Sequence, residues 1–391
     1  MKLQRLQLVA LPLFVALAGA AAWPAHAGTA GAALRPRASY AVHEWGTFTS
    51  VAGDDGRALV WRPLTDRSSD LPSFVYSNYK EPSAPPTKGR IPGTVRMETP
   101  VLYFYSDAER DVRVRVGFDA GLITEWYPKA VSVGDHIDWG TVKVMPGSHA
   151  AFPTDGTASH YYPARDTDAA PVRVSVGANV EDEKFLFYRG VARMELPVVA
   201  ALDGDTVKLR DDWDAGVGTA IVFERRGDRL GWTSVKLGTA DAVVRRPALD
   251  GRLEDLLATL HAELVAQGLY AKEASAMIAT WRDHWFEEGL RVLHVLPRAI
   301  TDSTIPLTLD PAPAELVRVM VNRIEVITPD MERVAGELVK ATGTATAASR
   351  KATVAALEKR YGRFARVILE RTAAHSKSDA ERAAITKILA G

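Results

Sequence analysis

Hydrophobic and polar residues alternate along short segments in the first two thirds of the chain. Residues 111–116 (DVRVRV) alternate at every position, which is the period of a strand that is buried on one face. A second strand is predicted at 122–127, and Gly121 just before it predicts a hairpin turn. About ten short strands separated by turn residues predict a β-rich domain at 40–245, an antiparallel sandwich or barrel-like fold. The other predicted strands are 101–105, 136–145, 171–177, 183–189, 194–200, 206–210, 218–225 and 229–236.

Beyond residue 250 the apolar residues follow a helical period. A first helix is predicted by leucines at 253, 256, 257, 260 and 264, and a second carries Trp281 and Trp285 and stops at Gly289. Two apolar runs, 292–296 and 316–327, predict strands, so residues 250–328 are expected to form an α+β region. Residues 329–391 are expected to form a helical tail.

The N-terminus has the three parts of a secretory signal peptide. Lys2 and Arg5 precede an uncharged run, and Ala25 and Ala27 provide the small residues that signal peptidase needs. We therefore expect a signal peptide at 1–27, a disordered linker at 28–39, and a protein that is exported to the periplasm or secreted. An uncleaved membrane anchor is the alternative, which the prolines of this segment disfavour.

Charge and cysteine content exclude several classes of function. The chain has 48 basic and 48 acidic residues, and this balance gives no reason to expect nucleic acid as a partner. There is no cysteine, so disulfides, thiolate zinc sites, cysteine nucleophiles and iron–sulfur clusters are excluded. No membrane span is expected after signal cleavage, and no motif specifies a cofactor.

Five motifs resemble those of a family of uncharacterised exported bacterial proteins. The resemblance runs through most of the mature chain and implies export and a shared fold. It carries over no activity, cofactor or catalytic residue. The motifs are HEWGTFTS at 43–50, ETPVLYFY at 98–105, GLITEWYP at 121–128, EKFLFYRG at 183–190 and WRDHWFEEG at 281–289.

The pair His43-Glu44 is a candidate for acid–base or metal chemistry. It lacks the H-E-x-x-H spacing of a zinc helix, and neighbours on a strand point to opposite faces, so one site would not easily use both. The alternative is that Glu44 satisfies arginine or backbone groups inside the fold while Trp45 packs in the core.

Glu98 and Glu125 form a second candidate pair for catalysis. Aromatic residues follow both in the sequence, at 103–105 after Glu98 and at 126–127 after Glu125, and two carboxylates in an aromatic cleft are what glycoside hydrolysis needs. This hypothesis expects them on adjacent strands, facing one concave surface, with Trp126, Tyr127 and Trp45 as candidate ligand-binding residues. The alternative is that each glutamate forms an ion pair with an arginine across the sheet, with Arg96, Arg113 and Arg115 as candidate partners.

Two histidine-bearing segments complete the candidates. His149, His160, Asp166 and Asp168 lie in a loop that could bind zinc or calcium, although their spacing matches no known metal-binding loop. On the second helix, His284 is either a catalytic or chelating group or a boundary histidine bonded to its own helix.

No nucleophile elbow, P-loop or dinucleotide fingerprint is present. The sequence therefore leaves two functions open. The first is an extracytoplasmic module that binds a glycan, peptide or protein partner, and the second is a carboxylate-dependent hydrolase of the glycosidase type.

Overall fold

The computed structural model describes residues 39–64, 70–78, 89 and 91–390. The predicted signal peptide and nearly all of the predicted linker lie outside the described residues. The prediction of a β-rich fold that ends in helices is confirmed. No helix of the described part is long and apolar enough to cross a membrane.

Most of the described strands lie close to their predicted positions. The strands are β1 (Tyr40–Val51), β2 (Tyr76–Ser77), β3 (Val95–Ser106), β4 (Arg110–Gly117), β5 (Gly121–Tyr127), β6 (Ser132–Val133), β7 (His136–Val144), β8 (Val172–Val176), β9 (Asn179–Glu183), β10 (Leu186–Ala192), β11 (Val198–Asp203), β12 (Thr206–Asp211), β13 (Thr219–Arg226), β14 (Arg229–Lys236), β15 (Ala242–Arg245), β16 (Gly289–Val295), β17 (Leu307–Asp310) and β18 (Glu315–Val326).

Helices occupy the second part of the chain. Ser378 caps the last of them: its hydroxyl accepts the backbone N–H of Glu381, three residues later. The helices are α1 (Leu253–Ala266), α2 (Ala271–Trp285), α3 (Arg298–Thr304), α4 (Pro329–Thr342), α5 (Ala347–Tyr361), α6 (Ala365–His375) and α7 (Asp379–Ala390), with 3-10 turns at Tyr162–Arg165 and Gly362–Phe364.

A large mixed sheet organises the described residues. Its strand order is β14-β13-β16-β18-β1-β3-β10-β5-β2, and within it β1 and β18 pair in parallel while the other neighbours pair antiparallel. The strands of the predicted β domain and those of the predicted α+β region therefore hydrogen-bond in one sheet. A three-stranded sheet (β11-β12-β15) and a second antiparallel sheet around β4, β7 and β8 accompany it.

The large sheet is covered on both faces. One face packs its Trp45, Val101 and Phe223 against apolar residues of α1 and α2, and we call it the helical face. The opposite face packs partly on the sheet around β4 and β7, with Val42 and Leu102 in that core, and partly on the three-stranded sheet. Helices α4 to α7 share a separate apolar core with Val51, at the end of β1.

A β-bulge interrupts the pairing of β1 with β3. Trp45 pairs with Val101 and the next pair is Thr47 with Glu98, so β3 has one residue more than β1 over this interval. Thr99 adopts a left-handed φ of 41° within the bulge. The backbones approach closely, since a Cβ at Gly46 would lie 2.9 Å from the Cα of Pro100. Because of the bulge, the residues of β3 that precede it point to the opposite face of the sheet from the one that strict alternation would give them.

Candidate functional site

Charged side chains form a row across the helical face, beside the bulge. From one end to the other it consists of Glu98, Arg96, Asp70, Arg189 and Glu125, and we call it the charged row. Arg96 Nε lies 3.4 Å from Glu98 Oε2, and Arg96 Nη2 lies 3.7 Å from Asp70 Oδ2. Arg189 Nη2 lies 3.0 Å from Asp70 Oδ1, and its Nε lies 3.7 Å from Glu125 Oε2. Acidic and basic groups thus alternate along the row.

The bulge explains why Glu98 belongs to this row. Strict alternation along β3 from Val101, a helical-face residue, would turn Glu98 toward the opposite face. The extra residue shifts the alternation, so Met97 packs in the core of the opposite face and Glu98 accepts a hydrogen bond of 2.6 Å from Thr49 Oγ1. Pairing of β10 with β3 and with β5 shifts at the same level, so the irregularity crosses neighbouring strands.

Glu98 is a buried carboxylate that is held ionised. The side chain is 2% exposed, and Arg363 of the 3-10 turn Gly362–Phe364 donates a hydrogen bond to it. Burial by itself would raise the pKa of Glu98, but the positive charges of Arg363 and Arg96, with the Thr49 hydrogen bond, outweigh it and hold that pKa well below its usual range. Glu98 is therefore negatively charged at every physiological pH.

The two arginines of the row converge on one half-exposed carboxylate. Arg189 donates from both Nη atoms to Asp70, at 3.0 to 3.1 Å, while only 2% of its own side chain is exposed. Asp70 is 41% exposed and lies outside the sheet. Burial lowers the pKa of Arg96 to about 10, although the negative charge of Glu98 opposes this shift. Burial also acts to lower the pKa of Arg189, but the negative charges of Asp70 and Glu125 outweigh it and raise that pKa. Both guanidinium groups are charged at neutral pH.

Two histidines stand beside the row. The rings of His160 and His284 lie 4.2 Å apart between centroids, and the ring of Trp281 is stacked parallel to that of His160. Burial, reinforced by the charge of Arg363, lowers the pKa of His284 to about 2, so this imidazole is neutral. Its Nδ1 is buried without a hydrogen-bond partner among the described residues.

Strand alternation separates His43 from Glu44. His43 faces α2, where its Nδ1 lies 2.7 Å from Glu273 Oε2. Glu44 faces the opposite side, where it accepts hydrogen bonds of 2.6 Å from Arg318 Nε and from the hydroxyl of Tyr188. Neither contact belongs to the charged row, so the four candidate catalytic residues do not share one pocket.

Glu98 and Glu125 do share the helical face, but they are not on adjacent strands. Strand β10 lies between β3 and β5 and places Arg189 between the two carboxylates. The expectation of adjacent strands is wrong. Although β3 and β5 are close in sequence, β10 comes later in the chain and pairs between them. The arginine alternative holds for Arg96, whereas Arg115 pairs with Asp138 on the second sheet instead.

The candidate ligand-binding aromatics are core residues in this structure. Trp45 is 0% exposed, Tyr127 4% and Trp126 9%. The half-buried ring of Tyr76 stacks on Trp126 and on Tyr127 at centroid distances of 6.1 and 6.3 Å. Trp45, Trp126 and Tyr127 are therefore engaged with protein and present no free stacking surface.

The candidate metal ligands do not assemble. Asp168 Oδ1 accepts a hydrogen bond of 2.6 Å from Lys272, and His160 Nδ1 donates one of 2.8 Å to the carbonyl of Thr280. Across the residues that the structure describes, no group of three or more His, Asp or Glu is arranged to hold a metal ion, and this includes His149 and Asp166.

Comparison with protein-family models and with curated proteins finds no match for this chain.

The sequence did not predict three residues of this site: Asp70 and Arg189, which belong to the charged row, and Arg363, which contacts it. The signal available for Arg189 was its position as a lone charge in the apolar run 185–192. Asp70 and Arg363 carry no such signal, because they meet Arg189 and Glu98 across 119 and 265 positions of the chain.

Proposed function

We propose that the protein is an exported binding module that recognises the carboxylate of an acidic glycan through Arg96 and Arg189. The observation that carries this proposal is the convergence of two buried guanidinium groups on the half-exposed carboxylate of Asp70. Bidentate pairing of arginine with a carboxylate is both strong and directional. Asp70 occupies the position that an external carboxylate would take.

The row supports binding because its arginines are oriented before any ligand arrives. Glu98 lies beside the guanidinium of Arg96, and Glu125 lies beside that of Arg189, both inside the protein. Groups that are already held in their binding orientation lose little conformational entropy when a ligand docks. Exchange of Asp70 for a ligand carboxylate keeps the charge balance of the row unchanged.

Aromatic residues near Asp70 favour a sugar over a peptide as the body of the ligand. Phe74 and Tyr76 lie on the same segment, 70–78, and both are half-buried. Tyr162 packs against Phe74 with ring centroids 6.5 Å apart. Partly exposed aromatic rings beside a charged site are suited to the apolar faces of sugar rings.

The alternative function, a glycosidase-type hydrolase, receives less support from this geometry. Such an enzyme needs one carboxylic acid with a raised pKa that can donate a proton. Glu98 has a lowered pKa and is paired with two arginines, so it cannot serve as that acid. Glu125 also has a guanidinium group beside it, that of Arg189. For these reasons binding is preferred to hydrolysis.

Export is proposed from the sequence alone. The basic residues Lys2 and Arg5, the apolar run after them and the small residues Ala25 and Ala27 support a secretory signal. The resemblance of five motifs to those of exported bacterial proteins supports the same destination.

Calorimetric titration of the mature protein with glucuronate and with glucose tests the binding proposal. We expect glucuronate to bind and glucose to bind at least about tenfold more weakly, because only glucuronate offers a carboxylate. Asp70→Asn is expected to strengthen glucuronate binding, since it removes the competing internal carboxylate. Arg189→Gln is expected to abolish it.

Asp182→Asn provides the matched control. Asp182 also accepts two hydrogen bonds from one arginine, Arg173, but on the second sheet and away from the row. It should leave glucuronate binding unchanged. Equal binding of glucose and glucuronate, or weaker binding by the Asp70→Asn variant, would contradict the proposal. Binding of N-acetylglutamate in place of glucuronate would assign the site to peptide carboxylates instead.

A further inference from the structure

A second charged site lies where the large sheet meets the helical tail. A cleft of about 300 Å³ opens between the end of β13, the start of β16 and helices α4 and α5. This volume is within the range of small-ligand pockets. The charged residues that line it are Arg225, Arg226, Arg246, Arg333 and Arg360 together with Glu224, Glu288 and Asp330.

Basic groups outnumber acidic ones in this cleft. Glu224 is buried and accepts hydrogen bonds from both Arg226 and Arg246. Arg360 donates two hydrogen bonds, of 2.8 and 2.6 Å, to one oxygen of Glu288. Five arginines and three carboxylates among the lining residues leave an excess of two positive charges.

Arg225 supplies much of that excess. Its Nε donates to the carbonyl of Gly227 at 2.9 Å, and its Nη1 donates to the carbonyl of Phe286 at 3.2 Å. In the described part of the chain no carboxylate forms an ion pair with it. Two backbone carbonyls thus orient a guanidinium whose charge is not neutralised.

The cleft also has an apolar wall and accessible arginines. Leu290, Met331, Val334 and Tyr361 line it beside the charged groups. Arg226, Arg333 and Arg360 have 48%, 58% and 45% of their side chains exposed, so a solute can reach them. The charge is therefore presented at the rim rather than buried.

We propose that this cleft binds a phosphate monoester on a sugar-sized body. A phosphate monoester carries about −1.5 to −2 charges at neutral pH and three acceptor oxygens. This charge matches the excess of two in the cleft, and guanidinium groups that approach from β13, α4 and α5 suit a tetrahedral oxyanion better than a planar carboxylate. The apolar wall accommodates the body of the ligand.

Titration with glucose 6-phosphate, glucose 6-sulfate and glucose tests the assignment. We expect the phosphate ester to bind about tenfold more tightly than the sulfate ester, which carries one negative charge, and glucose not to bind measurably. Raising the salt concentration should weaken binding, because the rim arginines are exposed to solvent.

Arg225→Gln and Arg333→Gln should each weaken binding of glucose 6-phosphate by about tenfold, through loss of a charge-assisted hydrogen bond. Arg298→Gln is the matched control. Arg298, on α3, is 43% exposed and does not line the cleft; it is bonded to one carboxylate, Asp302, and one backbone carbonyl, that of Leu316.

Thermal melting of each variant shows whether it is folded. If Arg225→Gln unfolds, Arg333→Gln decides the question, because Arg333 contacts acidic groups of its own helix at the surface. Affinity that does not change in Arg333→Gln, or that falls equally in Arg298→Gln, would overturn the proposal. So would equal binding of glucose and its phosphate ester.

Discussion

Glu98 on β3 and Arg363 in the helical tail form a buried ion pair across 265 positions of the chain. Phe364, the neighbour of Arg363, stacks on Trp61 at a centroid distance of 5.5 Å and lies under the guanidinium of Arg323 at 4.7 Å. The turn between α5 and α6 is therefore fastened to the large sheet by charge and by aromatic packing together.

This pair should dominate the stability of the junction. We expect Glu98→Gln to lower the free energy of unfolding by about 3 kcal/mol or more, because Arg363 and Arg96 would lose a buried carboxylate. The double variant Glu98→Gln, Arg363→Gln should lose less than the sum of the two single variants. Urea unfolding of the four proteins measures the coupling, and additive losses would show that the residues act independently.

Acidification should destabilise the protein before its carboxylates titrate. Burial lowers the pKa of His284 to about 2 and that of His294 to about 4. An unfolded histidine has a pKa of about 6.5, so below that pH the unfolded chain binds protons that the folded protein does not. The stability that these two neutral histidines contribute is thus fully present above about pH 6.5. It falls toward pH 5, by about 1.4 kcal/mol per pH unit for each proton that only the unfolded chain binds.

The remaining histidine with a shifted pKa does not reverse this sign. A hydrogen bond to Glu332 raises the pKa of His375, so His375 is largely protonated in both states at the lower end of this interval. Unfolding curves between pH 6.5 and 5 measure the slope. His284→Asn should reduce it by about half. A slope that is the same in the variant and the parent would refute the assignment.

At Gly231 another part of the backbone lies so close that an added methyl group is expected to destabilise the protein, unlike at Gly238. A Cβ at Gly231 would lie 1.8 Å from the carbonyl oxygen of Ala248, whereas one at Gly238 would meet no atom within 4 Å. Gly231→Ala should therefore lower the free energy of unfolding by about 2 kcal/mol or more, and Gly238→Ala should change it little. Thermal unfolding of both variants provides the comparison, and equal effects would contradict the structure at this strand.

Cleavage of the signal peptide is open to direct measurement. The Ala25-x-Ala27 site predicts that the exported protein begins at Gly28. Intact-mass analysis of the protein recovered outside the cytoplasm should show the loss of residues 1–27. A product that retains Met1 and remains with the membrane fraction would instead indicate an uncleaved anchor.

Local patterns predicted the elements of the fold well. Alternation identified β4 and leucine spacing identified α1, because these signals depend only on which face of an element is buried, and the turn residue Gly121 identified β5 as the hairpin partner of β4. Topology was harder, since nothing local to β16 or β18 shows that they join the same sheet as β1 and β3. Strand pairing is decided by contacts between residues far apart in the sequence.

The sequence by itself determined most of the strands and helices, the absence of cysteine chemistry and the unusual carboxylates Glu98 and Glu125. Only the tertiary structure decided what those carboxylates contact. The bulge at Thr99 turns Glu98 to the helical face, β10 inserts Arg189 beside Glu125, and Asp70 comes from a segment outside the sheet. The physical reason is that a side chain's charge partner depends on register and strand order, which local hydrophobic periodicity does not encode.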